Sequence, residues 1–167
     1  MRKMTEENLK AAFAGESQAH LKYLVFAERA EREGLANVAR LFRAASFAEQ
    51  THATKHLQAL QGIGGTADNL AAAIAGETFE VEEMYPAYNA VAELQGETTA
   101  LRSMQRALEA EKVHAALYTR AKEAAMAGKD AEIGPVVVCQ SCGYTAEGEA
   151  PDRCPLCGAP RERFSKF

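Results

Sequence analysis

Two stretches in the first half of this sequence recur in the second half. The sequence AGES at 14–17 returns as AGET at 75–78, and AEQTH at 48–52 returns as AEKVH at 110–114. The two glutamates of each copy are 33 residues apart in the first half and 34 in the second. A repeat of this length predicts two similar helical hairpins, which together form a four-helix bundle.

The composition between residues 5 and 128 favours helix throughout, because Ala, Glu, Leu, Gln, Arg and Lys dominate and Gly and Pro are few. Thr5 is a plausible N-cap, and the glycines at 34, 62–65, 96 and 128 are predicted to end helices. Pro86 should kink or restart the third helix. We therefore predict helices at about 5–33, 35–61, 66–95 and 97–127.

The chain changes character after Gly128. We predict a mainly α-helical domain over 1–130, built from hairpins at 5–61 and 66–127, a linker over 131–135 and a small β domain over 136–167. The last segment contains a short predicted strand, Val136 to Val138, and is rich in Gly, Pro and Cys. Because it is too short to be stabilised by an apolar core alone, a bound metal is expected to supply the missing stability.

The repeated motifs place acids and imidazoles on common helix faces. Residues three apart in a helix lie on one face, so each Glu-x-x-His presents a carboxylate and an imidazole together. One such motif alone is usually a solvated helix face, but two in register, each with a preceding Gly-Glu, are typical of a ferritin-like di-metal site. Burying these acids without metal would be costly. The predicted donors are Glu16, Glu49, His52, Glu77, Glu111 and His114.

All four cysteines lie near the end of the chain, as two Cys-x-x-Cys pairs each followed by Gly. The glycines allow tight turns that aim backbone amides at thiolate sulfur. Four thiolates form a tetrahedral site for Zn²⁺ or one iron, and on the cysteines alone a zinc ribbon is the more common outcome. The predicted ligands are Cys139, Cys142, Cys154 and Cys157.

With these motifs in place, the sequence resembles the rubrerythrin family over essentially its whole length. The resemblance implies a ferritin-like four-helix bundle with a di-iron centre, followed by a rubredoxin-like Fe(Cys)₄ domain. It implies that Glu49 and Glu111 bridge the irons, and that the remaining ligands are Glu16, Glu77, His52 and His114. Carboxylate with imidazole suits iron or manganese, and zinc substitution remains open.

The resemblance also implies residues around the di-iron ligands. Glu80 matches a further carboxylate that the family places one turn after the third-helix Glu, and it is implied to exchange with His52 on one iron. Tyr23 and Tyr85 resemble tyrosines that hydrogen-bond ligand carboxylates, the alternative being an ordinary core role. By spacing, two more histidines lie near the site; we predict that they flank it without ligation: His20 and His56.

The two metal sites together predict reduction of hydrogen peroxide to water, as in oxidative-stress defence. Two irons deliver two electrons to one peroxide bond, and an Fe(Cys)₄ centre refills them one electron at a time. The resemblance implies that NAD(P)H supplies the electrons through a rubredoxin or reductase partner, and the chain has no Gly-x-Gly-x-x-Gly fingerprint for direct hydride transfer. The alternatives are ferroxidase-type iron oxidation and a zinc-ribbon interaction protein on a helical scaffold.

Charge and hydropathy exclude other classes of partner. The net charge of −4 and the scattered cations argue against nucleic acid, and no apolar run approaches the roughly 20 residues of a membrane span. No apolar segment follows the first residues as in a signal peptide, so we expect a cytoplasmic protein. The resemblance suggests a homodimer with one chain's thiolate iron near the other's di-iron pair. The Gly-rich link at 62–65 would serve as a hinge for exchanging hairpins.

Overall fold

The computed structural model describes residues 1–167, and the predicted fold class is confirmed: the chain is mainly helical with a small sheet at its end. No helix has both the length and the apolar character needed to cross a membrane. The elements are α1 (Lys3–Arg32), α2 (Ala36–Ala59), α3 (Thr66–Phe79), a π-helical segment (Glu80–Met84), α4 (Tyr85–Leu94), α5 (Thr98–Met126), β1 (Val136–Cys139), β2 (Thr145–Glu147), a 3₁₀ turn (Arg161–Arg163) and β3 (Phe164–Lys166).

The chain divides into two compact units, Met1–Gly64 and Gly65–Phe167. The first is a hairpin of α1 and α2, joined by a tight turn at Gly34, whose φ of 77° explains the glycine there. The two helices approach closely because the residues buried between them are small. Those buried residues are Ala27, Ala30, Ala39, Ser46 and Ala53.

The predicted start of the first helix is wrong. The helix begins at Lys3, with Arg2 as its N-cap residue, and Thr5 lies inside the first turn. Lys3 and Met4 are themselves good helix formers, so the helix extends back past the threonine. At the other end of the hairpin, α2 stops at Ala59, slightly before the predicted limit of 61.

The second unit contains the one irregular helix. The π-helical segment follows α3, and the Tyr85 N–H donates to the Glu80 carbonyl five residues back, so this turn is wider than an α-turn. Pro86 was predicted to kink or restart the helix. It lies in the first turn of α4, directly after the π-helical segment, so the helix changes its hydrogen bonding there without ending. A π-turn accommodates one extra residue. This explains why Gly96 follows Glu77 by 19 residues whereas Gly34 follows Glu16 by 18.

The cysteine-containing end of the second unit is an antiparallel sheet with strand order β2-β1-β3. In its register Val138 pairs with Thr145 and Cys139 pairs with Phe164. Its interior is minimal, with Val137, Cys139, Thr145 and Cys154 as the buried side chains. So small a core agrees with the expectation that a metal stabilises this segment.

Candidate metal centres

The first hairpin brings three predicted donors together. Ligand atoms of Glu16, Glu49 and His52 lie within 4.8 Å of one another. The His52 Nδ1 lies 3.2 Å from the Glu49 Oε2, and a hydrogen bond between the two glutamates raises the pKa of Glu16 and lowers that of Glu49. The Glu16 and Glu49 carboxyls are thus close enough to share a proton. A metal cation can take the place of that proton.

The second unit has an equivalent group of donors, whose side chains are less exposed than those of the first hairpin. Ligand atoms of Glu77, Glu111 and His114 also lie within 4.8 Å of one another. The His114 Nδ1 is 2.6 Å from the Glu111 Oε2 and 3.8 Å from the Glu77 Oε1. Burial, followed by the hydrogen bond with Glu111, raises the pKa of Glu77 to about 7. The carboxylate is thus destabilised unless a positive charge is bound beside it.

Two further predicted residues lie close to the second set. Burial and then the charge of Glu111 raise the pKa of Glu80. The Tyr85 pKa is raised by burial first and next by the charges of Glu80, Glu111 and Glu77. Glu80 follows Glu77 by three residues and so shares its helix face, whereas Tyr85 directly follows the π-helical segment, and the wider turn sets its direction.

The predicted residues around the first set are arranged differently. The Tyr23 ring lies 6.3 Å from the ring of Phe26 and 6.1 Å from that of Phe42, in an aromatic cluster of the hairpin. The His20 side chain contacts Ser46: its Nδ1 lies 3.0 Å from the Ser46 carbonyl oxygen. His56 is near enough for its charge to lower the pKa of Glu16. The assignments of these residues and of the ligands themselves remain predictions.

One contact of the second set has no signal in the sequence. The His114 Nε2 lies 2.8 Å from the hydroxyl of Thr145, a buried residue at the start of β2 and 31 positions away along the chain. Nothing in the residues around Thr145 marks it, because the contact depends on how the sheet packs against α5.

The four cysteines form a third cluster. Their sulfur atoms lie within 4.8 Å of one another, with 3.7 Å between Cys139 and Cys157 and 3.6 Å between Cys142 and Cys154. These distances far exceed a disulfide bond of about 2.05 Å. The two glycines after the pairs have φ values of 79° and 74°, as the predicted tight turns require. Four thiols at this spacing match a tetrahedral metal site.

Electrostatics in the cysteine cluster also favour a cation. Burial, together with the neighbouring thiols, raises the pKa of the Cys142 thiol to about 12, although a hydrogen bond from the Tyr144 amide to this sulfur acts in the opposite direction. A metal ion would instead hold all four as thiolates. The donor types therefore fit one thiolate-bound iron or zinc here, and iron or manganese at the carboxylate–histidine sets.

Comparisons with known proteins agree with both kinds of site. A family model described as rubrerythrin matches residues 7–122, and one described as the rubredoxin-like domain of rubrerythrin matches residues 138–165. Rubrerythrin-2 of Clostridium acetobutylicum is 39% identical over 98% of this chain and 97% of its own. Nigerythrin of Nitratidesulfovibrio vulgaris is 35% identical over 98% of this chain and 86% of its own.

A solved structure shows the same likeness. The structure described as the fully reduced, all-ferrous state of nigerythrin matches with a TM-score of 0.56 and 34% identity. The match covers 98% of this chain and 86% of that one.

Proposed function

Because this chain belongs to the rubrerythrin family, we propose that it is a non-haem di-iron peroxidase that reduces hydrogen peroxide to water. Proteins of this family are iron oxidoreductases with a di-iron site and an Fe(Cys)₄ site, and the donor sets of this chain match both. The observation that carries the proposal is the repeated set of a Glu and a Glu-x-x-His, in the same chain as four clustered cysteines.

In this proposal the two carboxylate–histidine sets together hold one iron pair. Glu49 and Glu111 would bridge the irons, Glu16 and Glu77 would be terminal ligands, and His52 and His114 would complete the set with Glu80. When bound, the iron pair supplies the two electrons that cleave the O–O bond, and two protons complete the conversion of H₂O₂ to two waters. Tyr85 keeps its proton because its pKa is raised, so its hydroxyl is available as a hydrogen-bond donor beside the carboxylates.

The cysteine cluster supplies electrons in this proposal. An iron held by Cys139, Cys142, Cys154 and Cys157 would change by one electron at a time, so two transfers would restore the iron pair after each peroxide. The electrons come from NAD(P)H through a rubredoxin or reductase partner, because the sequence lacks a dinucleotide fingerprint of its own. Thiolate ligands also favour a reducing compartment, which agrees with the expected cytoplasmic location.

The two alternatives leave part of the chain unexplained. Ferroxidase-type iron oxidation needs no thiolate site, yet four cysteines cluster here. A zinc-ribbon interaction protein would give no reason for repeated acid and imidazole clusters in the helices. Metal analysis together with a visible spectrum separates these cases, since ferric thiolate iron is red and zinc is colourless.

The decisive experiment measures peroxide consumption by the purified, iron-loaded protein after anaerobic reduction. The wild type should consume peroxide and lose its di-iron electrons stoichiometrically. Glu111→Ala should lose this reaction and bind less iron, whereas Glu109→Ala should not, because Glu109 is exposed and paired with Lys112. Cys142→Ser should stop turnover with an electron donor but still allow the reduced iron pair to be oxidised by peroxide.

Each variant tests a separate part of the proposal. Full activity and iron content in Glu111→Ala would remove that residue from the ligand set. Steady-state turnover that survives in Cys142→Ser would show that the thiolate site is not the electron entry. A wild type that oxidises ferrous iron but consumes no peroxide would favour the ferroxidase alternative.

A further inference from the structure

The buried hydroxyl of Thr145 connects the two kinds of metal site within the second unit. Thr145 is 5% exposed and begins β2, where it pairs with Val138 of β1. Its Oγ1 lies 2.8 Å from the His114 Nε2 and 3.0 Å from the carbonyl oxygen of Gly143. Gly143 directly follows Cys142, so the hydroxyl lies between a di-iron donor and the first cysteine pair.

The direction of these two hydrogen bonds follows from their chemistry. A carbonyl only accepts, so the single hydroxyl proton of Thr145 must be donated to Gly143. The hydroxyl oxygen can then only accept from His114, whose Nε2 must carry a proton. In a neutral imidazole this leaves the Nδ1 unprotonated, and the Nδ1 is the atom that faces Glu111 at 2.6 Å. A lone pair facing a carboxylate is unfavourable by itself, and a metal cation held by this set would be bound by both atoms.

The surroundings of this contact are mostly apolar. Leu70, Leu117, Ile133, Val136 and Val138 line a cleft that His114 and Thr145 also border. Hydrogen bonds are stronger in apolar surroundings than in water, where water molecules compete for the same donors and acceptors. The contact is therefore suited to fixing the imidazole rather than to exchanging with solvent.

We propose that Thr145 is a positioning residue that holds His114 in its Nε2-protonated form and joins it, through Gly143, to the Cys142 side of the thiolate site. This inference rests on the proposed peroxidase function. Each transfer moves one electron from the reduced thiolate iron to the oxidised iron pair, and two transfers with two protons match the reduction of one H₂O₂. The electrons originate from a reduced pyridine nucleotide through a donor protein. The relay thus runs from the thiolate site to the set of Glu77, Glu111 and His114 in the same chain.

The test compares Thr145→Val, which keeps the shape and removes the hydroxyl, with Thr145→Ser, which keeps the hydroxyl. Thr119→Val is the matched control, because Thr119 is exposed on α5 and bonds only to the Ala115 carbonyl. Stopped-flow spectra follow the electrons from the prereduced thiolate iron to the oxidised iron pair. Loss of an outer hydrogen bond to a ligand histidine costs about 10- to 100-fold, so Thr145→Val should slow this step by that factor.

Direct oxidation of the chemically reduced iron pair by peroxide should change little in Thr145→Val. Thr145→Ser and Thr119→Val should transfer electrons nearly as fast as the wild type. Wild-type transfer in Thr145→Val, or equal slowing in Thr145→Ser, would overturn the proposal.

A second readout does not depend on activity. Nitrogen-15 NMR of histidine-labelled protein, loaded with diamagnetic zinc, reports which nitrogen of each of the four imidazoles carries the proton. The wild type should show a slowly exchanging Nε2 proton on His114, and Thr145→Val should lose that protection. A wild-type proton that exchanges at the solvent rate would overturn the inference even if Thr145→Val does not fold. Failure of the wild type to consume peroxide would refute the proposed function and leave this readout intact.

Discussion

The two candidate histidine ligands differ in how firmly their side chains are held. The His114 side chain is 28% exposed and is contacted at both ring nitrogens, by Glu111 at the Nδ1 and by Thr145 at the Nε2. The His52 side chain is 56% exposed and is bonded only through its Nδ1, to Glu49. Movement of an imidazole during the reaction therefore costs less at His52. This asymmetry agrees with the proposed exchange of His52 with Glu80 and with a proposed fixed position for His114.

At the same scale, Glu77 predicts how the stability of the metal-free protein depends on pH. Its pKa is raised from 4.5 to about 7, so between these values the folded protein holds a proton that the unfolded chain has released. The stabilising contribution is complete below 4.5 and is lost as pH rises through about 7. Glu16 acts in the same direction, whereas the lowered pKa of Glu49 changes stability only at lower pH.

Thermal unfolding of the metal-free protein measures this effect. The unfolding temperature should fall between about pH 5 and about pH 7.5, by the equivalent of about 1 kcal/mol or less, because the partly exposed carboxyl is screened by solvent. Glu77→Gln should show a weaker dependence, since the amide does not titrate. Equal slopes for the two proteins would show that this carboxyl does not retain its proton in the folded state.

Among the elements, the π-helical segment is the clearest difference between the two halves. Its extra residue lies between Glu77 and Gly96. Tyr85 directly follows the wider turn, and its pKa is raised by burial and then by the charges of Glu80 and Glu111. The first half has a continuous helix over the equivalent stretch and Ala19 where the second has Glu80. The π-turn thus accompanies the extra carboxylate, and π-turns occur often at functional sites.

Deletion of Glu82 should convert the π-turn into a regular α-turn. Removing one residue rotates everything beyond it by about 100° relative to Glu77 and Glu80, so Tyr85 can no longer face the same acids. We expect the deletion variant to bind iron more weakly, because the carboxylates lose the hydroxyl donor of Tyr85, as measured by titration of the metal-free protein. Glu82→Ala should bind normally because Glu82 is exposed. Normal binding by the deletion variant would show that the π-turn does not position Tyr85.

The sequence predicted well those groupings of side chains that depend on residues close together in the chain. Each Glu-x-x-His pair and each Cys-x-x-Cys turn depends on residues a few positions apart, and the structure brings each set together. The repeat revealed the extra residue of the second half but not the π-turn, because the hydrogen bond from Tyr85 to Glu80 cannot be derived from spacing. The contact between Thr145 and His114 was missed because it joins distant segments.

For the whole molecule, the first hairpin raises the question of what covers its apolar side chains. The residues buried in it are four alanines and one serine, whereas large apolar side chains remain exposed, including Leu41 at 68% and Phe47 at 70%. A hairpin with so small a core gains most of its stability by packing on another hairpin. It also supplies only one of the two carboxylate–histidine sets.

These features support the proposal of a homodimer in which chains exchange hairpins about the Gly-rich link at 62–65. Each di-iron site would then combine the first hairpin of one chain with the second unit of its partner. Exchange makes a prediction for mixtures of inactive variants. Glu49→Ala damages the first set and Glu111→Ala the second, so a dimer of one with the other contains one fully damaged and one intact site.

Unfolding Glu49→Ala and Glu111→Ala together and refolding them with iron should therefore restore roughly a quarter of wild-type peroxide consumption, because half of the random dimers carry one intact site of two. Glu49→Ala mixed with Glu16→Ala is the matched control: both changes lie in the first hairpin, so every site stays damaged. Affinity tags on the two chains establish that mixed dimers form. If mixed dimers form and the first pair stays as inactive as the control, each iron pair is built within a single chain.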